Sequence, residues 1–115
     1  MKAETLAKKV VKGLDEMRAI DIRSIDVKEL TSITDIMVIA SGRSDRQIRA
    51  LAQKAVEIAK KADAAVLGTE GEREGQWILV DLGDVIVHLM HPTARAYYQL
   101  EKLWAEFTPK RKTSH

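Results

Sequence analysis

The chain has no cysteine, only two prolines, five aromatic residues and no long apolar run, and each scarcity closes off a class of molecule. Without cysteine there is no disulfide framework, no thiolate metal site and no cysteine nucleophile, a composition suited to a reducing compartment. No apolar stretch approaches the roughly 20 residues that a bilayer-spanning helix needs, and the first five residues lead into interleaved charges instead of the apolar core of a signal peptide. A cytoplasmic protein with no export signal, transit peptide or membrane span is expected. Nor does one sign of charge prevail: 19 basic residues against 17 acidic leave a net charge of +2, which gives no support to a chain that lives on phosphate backbones.

What is present is a globular balance, 45% apolar and 31% charged over 115 residues, enough to bury one core. A single domain over residues 1–108 is expected, followed by a flexible basic tail over 109–115. Ala3, Leu6, Ala7, Val10, Leu14 and Met17 recur at helical spacing and predict a first helix ending near Arg18-Ala19. Imperfect alternation predicts a strand around 21–27. After a polar connection, the apolar run 35–41 has the form of a strand buried on both faces. Ser44 and Gln47 form a capping box that opens a helix running to Ala62, with small alanines suited to packing on a sheet. Val66-Leu67 is read as a short strand and 68–75 as a charged, glycine-punctuated loop. Strands over 76–81 and 84–90 flank Leu82-Gly83 as an antiparallel hairpin, and Pro92 opens a last helix whose stripe is Tyr97, Leu100, Leu103, Trp104 and Phe107. The expected fold is α/β: a mixed five-stranded sheet packed with helices in layers.

The possible chemical sites are weak on inspection. Glu70, Glu72 and Glu74 would repel a phosphate from the loop carrying Gly68, Gly71 and Gly75, and no Gly-Lys-Ser/Thr follows. His88 and His91 differ by an odd number of places and point to opposite sides unless the strand ends between them, and with Asp81 and Asp84 they match no standard metal spacing. The turn Ser41-Gly42-Arg43-Ser44 resembles the Gly-Ser turn of nucleotidyltransferases, but those enzymes need closely spaced carboxylates downstream for magnesium, and 48–62 offers only Glu57. A related shape without the catalytic carboxylates is expected, with no enzyme activity, catalytic residue, cofactor or metal. The alternative is a divergent nucleotide-binding, nucleotidyltransferase-like enzyme. On the hairpin, Trp77, Leu79 and Asp81 share one face, where Trp77 could be either a core lid or an interface residue. Tyr98, with Glu101, falls away from the last helix's apolar stripe and is the better candidate for an exposed aromatic.

Four stretches, 35–47 (DIMVIASGRSDRQ), 70–71 (EG), 75–88 (GQWILVDLGDVIVH) and 95–104 (RAYYQLEKLW), together resemble the ribosomal silencing factors, also called Iojap-like proteins. The tryptophan strand, the Asp-Leu-Gly-Asp turn and the Tyr-x-Leu-Glu-x-Leu-Trp helix carry the specificity. Departures are the basic tail Lys110-Arg111-Lys112 and Met90-His91, where many relatives have a bulkier aromatic. The resemblance implies a non-enzymatic translational repressor that binds ribosomal protein fourteen of the large subunit and sterically blocks joining of the small one, with a part in large-subunit assembly. It places Trp77, Leu82, Pro92 and Tyr98 in the contact region; Asp81, Asp84 and Glu101 supply acid towards a basic ribosomal surface. A weak contact of the tail with ribosomal RNA and a homodimer in the free state complete the expectations.

Overall fold

A computed structural model describes residues 2–98, with side chains through Arg95. Along the chain lie α1 (Ala3–Glu16), β1 (Ile20–Asp26), β2 (Ile36–Ser41), α2 (Asp45–Lys61), β3 (Gly68–Glu70), β4 (Trp77–Asp81), β5 (Val85–Met90) and α3 (Pro92–Tyr98). The expected element order holds. Glu101, the stripe residues from Leu100 onward and the tail 109–115 lie outside the described residues, as do the side chains of Tyr97 and Tyr98.

The five strands form one sheet in the order β1-β2-β5-β4-β3. Only β2 and β5 run parallel; the other neighbours are antiparallel, so the sheet is mixed as the pattern predicts. All six residues of β2 are buried, because α1 and α2 cover one face while Val27, Leu30, Met90 and partly buried Ala94 pack on the other. The helix-covered face holds the larger core, with Val10, Leu14, Val38, Leu51, Ala55, Val80, Val87 and Leu89 all fully buried. At about 1.5 to 3 kcal/mol for each fully buried large aliphatic side chain, this layer dominates stability. The alanines of α2 serve close approach to the strands: Ala52, Ala55 and Ala59 are each buried there.

Local chemistry sets the boundaries. Ser44 Oγ accepts from the Gln47 amide at 3.1 Å, and Gln47 Oε1 accepts from the Arg43 amide at 2.7 Å, so the predicted cap is closed from both sides. Both long helices end in the same reversal. The Ala19 amide donates to Leu14 O and the Arg18 amide to Asp15 O after α1; Ala64 and Asp63 repeat the pair on Ala59 O and Lys60 O after α2. The residue at the left-handed position is not glycine in either case: Arg18 has φ 62° and Asp63 φ 58°.

One element differs from expectation. Val66-Leu67 is not a strand, and Leu67 is 66% exposed; the short edge strand is Gly68–Glu70, inside the predicted loop. Its position is fixed by pairing with β4, Gly68 opposite Asp81 and Glu70 opposite Leu79, which overrides the local β-propensity of Val-Leu. The layer arrangement is also one-sided: α1 and α2 share a face, and of the last helix Ala94 meets the other.

Candidate partner-binding face

The β4–β5 hairpin turns through Gly83, whose φ of 84° and bond from its amide to Asp81 Oδ1 at 2.9 Å close an aspartate turn. The Leu82 amide donates to Val85 O at 2.9 Å, so the tight turn centres on Gly83-Asp84, one residue later than predicted. Alternation then splits the hairpin: Ile78, Val80, Val85, Val87 and Leu89 enter the helix-covered core, while Trp77, Leu79, Asp81, Ile86 and His88 face the other way and are half-buried.

Trp77 lies across from Met90 and diagonal to His88, and its Nε1–H donates to His88 Nδ1 at 3.1 Å with the rings tilted by 51°. The indole nitrogen is only a donor, so Nδ1 must be the acceptor and the imidazole proton sits on Nε2. Burial pushes the His88 pKa down to about 4, because a charged ring there would lose its water. The tryptophan is thus both lid and surface: one part of the ring packs against the small core of Val27, Leu30, Met37, Ile39 and Met90, and the remainder is open.

A second set of contacts holds the entrance to β4. Arg49 on α2 donates from Nε to Glu72 O at 2.9 Å and from Nη2 to Arg73 O at 2.8 Å, pinning the loop of 71–75 to the helix. Gly71 (φ 89°) admits no side chain, since a Cβ would collide with the Trp77 carbonyl oxygen, and at Gly75 (φ 72°) one would come within 2.9 Å of the Arg49 guanidinium. The loop that sequence reads as ordinary surface is built to deliver Trp77.

Residues 1–115 match the profile of the family described as ribosomal silencing factor during starvation. A ribosomal silencing factor of Chromobacterium violaceum is 38% identical over 109 residues, covering 95% of this chain and 89% of that protein. The chain belongs to this family. A Chromobacterium violaceum protein solved by X-ray crystallography superposes with a TM-score of 0.89 at 39% identity, over 91% of this chain and 88% of that one. More distantly, a mouse protein called mitochondrial assembly of ribosomal large subunit protein 1 is 37% identical over 99 residues, covering 83% of this chain and 43% of its own length.

Within this silencing factor the expected contact residues divide. Trp77 and Asp81 share the open sheet face, Asp84 is exposed at the turn and Pro92 is exposed at the first position of α3. Leu82 is not available: it is 3% exposed and belongs to the large core, because the turn shifts by one residue and points it inward. Sequence reasoning missed Arg95, which is buried. Its Nη1 donates to Asp21 O at 2.6 Å and to Ser41 Oγ at 3.2 Å, tying α3 to the ends of β1 and β2. Arginine is so seldom buried that composition gives no warning. The two histidines do part as predicted, with His91 Nε2 3.1 Å from Asp45 Oδ1 at the start of α2. The Ser41 to Ser44 turn has its groups engaged within the protein: Ser41 by Arg95, Ser44 by the Gln47 amide and the Arg43 amide by Gln47. Among the described residues no cluster of three His, Asp or Glu is placed to hold a metal ion, and no helix is long and apolar enough to cross a membrane.

Proposed function

We propose that this silencing factor acts in the cytoplasm by binding ribosomal protein fourteen on the large subunit and standing in the way of the small subunit. The match of the whole chain to the silencing-factor family carries this reading, and the names of its relatives describe regulation and large-subunit assembly instead of a reaction. The face built around Trp77 suits the role. It offers an apolar centre of Trp77, Leu79 and Ile86 with Asp81 at its margin, next to Asp84 on the turn and the start of α3 at Pro92, an arrangement typical of protein interfaces. Tyr98 and Glu101 belong to the same proposed contact on the strength of the family resemblance. The mechanism is steric: a bound domain of this size occupies surface that the other subunit needs. In the free state a second copy covers the same apolar residues, so pairing and ribosome binding compete.

The test is sedimentation through sucrose of purified subunits with the protein added, then the same run with small subunits and magnesium. Co-migration with the large subunit and loss of the joined particle are expected. A protein that stays at the top of the gradient, or that co-migrates without reducing joining, refutes the reading.

A further inference from the structure

The near-neutral total charge conceals two poles. Residues 68–90, which include the hairpin, carry five acidic residues and one basic, whereas α2 carries five basic and two acidic. Lysines of both helices gather where α1 and α2 meet. There, on the side of the sheet opposite Trp77, a groove of about 310 Å³ runs between Lys9 and Lys12 of α1 and Lys54 and Lys61 of α2. Gly13, Ile58 and Ala62 form its apolar part, and Gly13 lets the helices approach, since a Cβ there would collide with Ile58 Cδ1.

Glu57 serves both lysines of α2, at 3.2 Å from Lys61 and 3.9 Å from Lys54, and the Lys61 hydrogen bond holds its carboxyl below the usual range. Lys9 and Lys12 have no carboxylate within 4.0 Å among the described residues, and Glu16 is the groove's one lining acid. Four lysines therefore line the groove with one carboxylate, Glu16, while Glu57 beside it pairs with Lys54 and Lys61. Among the described residues Lys9 and Lys12 are left without an ion-pair partner.

We propose that this groove is a binding site for the sugar-phosphate backbone of single-stranded RNA. Lys54 and Lys61 are seven residues apart, about 10 Å along the helix, so the walls can meet more than one phosphate of a strand. Lysines supply point charges on flexible stems, which suit phosphate oxygens without reading bases. Among the described residues no aromatic lines the groove, so bases are not stacked and binding is weak, sequence-independent and steeply salt-dependent. The site goes beyond the proposed protein contact: with one face of the sheet on a ribosomal protein and the helices on RNA, the domain is held from both sides.

The experiment is fluorescence anisotropy of the full chain with a short mixed-sequence single-stranded RNA, titrated over a range of potassium chloride concentrations. The wild type should bind with a negative log-log salt slope. Lys9→Gln with Lys12→Gln, both exposed, should lower affinity on the order of tenfold at low salt and flatten the slope by about 1.4, two phosphates at about 0.7 each. Arg23→Gln with Lys28→Gln, an equal charge change beside β1, should leave the slope as it is. Three results overturn the proposal: an unchanged slope in the groove variant, an equal loss in both variants, or loss of binding on replacing Lys110, Arg111 and Lys112 while the groove variant binds normally. A polyglutamate peptide that binds as tightly as the RNA would also refute the phosphate assignment. Because the probe is naked RNA, failure here is separate from failure to bind the large subunit.

Discussion

His88 sits where burial disfavours its charged form. Its unfolded ring titrates near 6.5 and its folded ring near 4, so protons bind the unfolded chain preferentially between those values. Above about 6.5 both states hold a neutral ring and there is no effect. As the pH falls through this window the folded state loses stability, on the order of 2 to 3 kcal/mol by the time the folded ring protonates. Chemical denaturation of wild type and His88→Gln across pH 7 to 4 should show a shallower acid loss in the variant; parallel curves would mean that the ring is not desolvated. The indole bond gives the same ring its functional weight, since a neutral His88 with its proton on Nε2 can accept from Trp77 and a charged one cannot. Nothing local in the sequence announces this. An odd spacing separates His88 from His91, but only the diagonal across β4 and β5 brings His88 to Trp77.

Among the elements, the helix ends offer the most direct test. Asp63 at φ 58° carries the cost of a side chain in left-handed backbone, which glycine avoids at the expense of a freer unfolded chain. Asp63→Gly should therefore stabilise the protein by about 0.5 to 1 kcal/mol, read from the midpoint of urea unfolding, with no shift if the reversal has another origin. The loop of 71–75 is testable in a different way. Arg49→Ala removes two hydrogen bonds from the Glu72 and Arg73 carbonyls, and limited proteolysis should then cut within 71–75 much faster while the rest of the chain resists. How legible an element was depended on how local its causes are. The cap at Ser44 and Gln47 is readable because three residues complete it, α1 and α2 declare themselves through their own periodicity, and β2 through its unbroken apolar run. The edge strand lies two residues beyond its expected place because Gly68 owes its conformation to Asp81, and Leu82, which the resemblance puts in the contact region, is turned inward because a one-residue shift in the turn reverses a side chain. Arg95 went unnoticed for the same reason: its partners Asp21 and Ser41 lie 74 and 54 positions away.

At the scale of the molecule, Asp81 on the open face of the sheet and the lysines between α1 and α2 lie on opposite sides of it. Asp81 is half-exposed and Asp84 exposed, so their charges remain hydrated and, in the proposed contact, would contribute to encounter more than to final affinity. Asp81 also accepts from Gly83, which makes Asp84 the cleaner probe. Asp84→Asn should slow association with the large subunit several-fold at low salt, with the difference vanishing as the ionic strength rises and dissociation nearly unchanged; stopped-flow light scattering separates the two rates. A change confined to dissociation would place Asp84 inside the contact instead of at its margin.

The doubly buried strand β2 has a consequence for biogenesis of the protein itself. Its antiparallel neighbour β1 precedes it directly, but its parallel neighbour β5 comes only after residues 42–84. A nascent chain must therefore expose the Ile36–Ser41 edge, apolar on both sides, until β5 has left the exit tunnel. This non-local pairing makes closure of the sheet a late step in folding, and a chain cut before Val85 would present the apolar β2 edge with no parallel partner to close it.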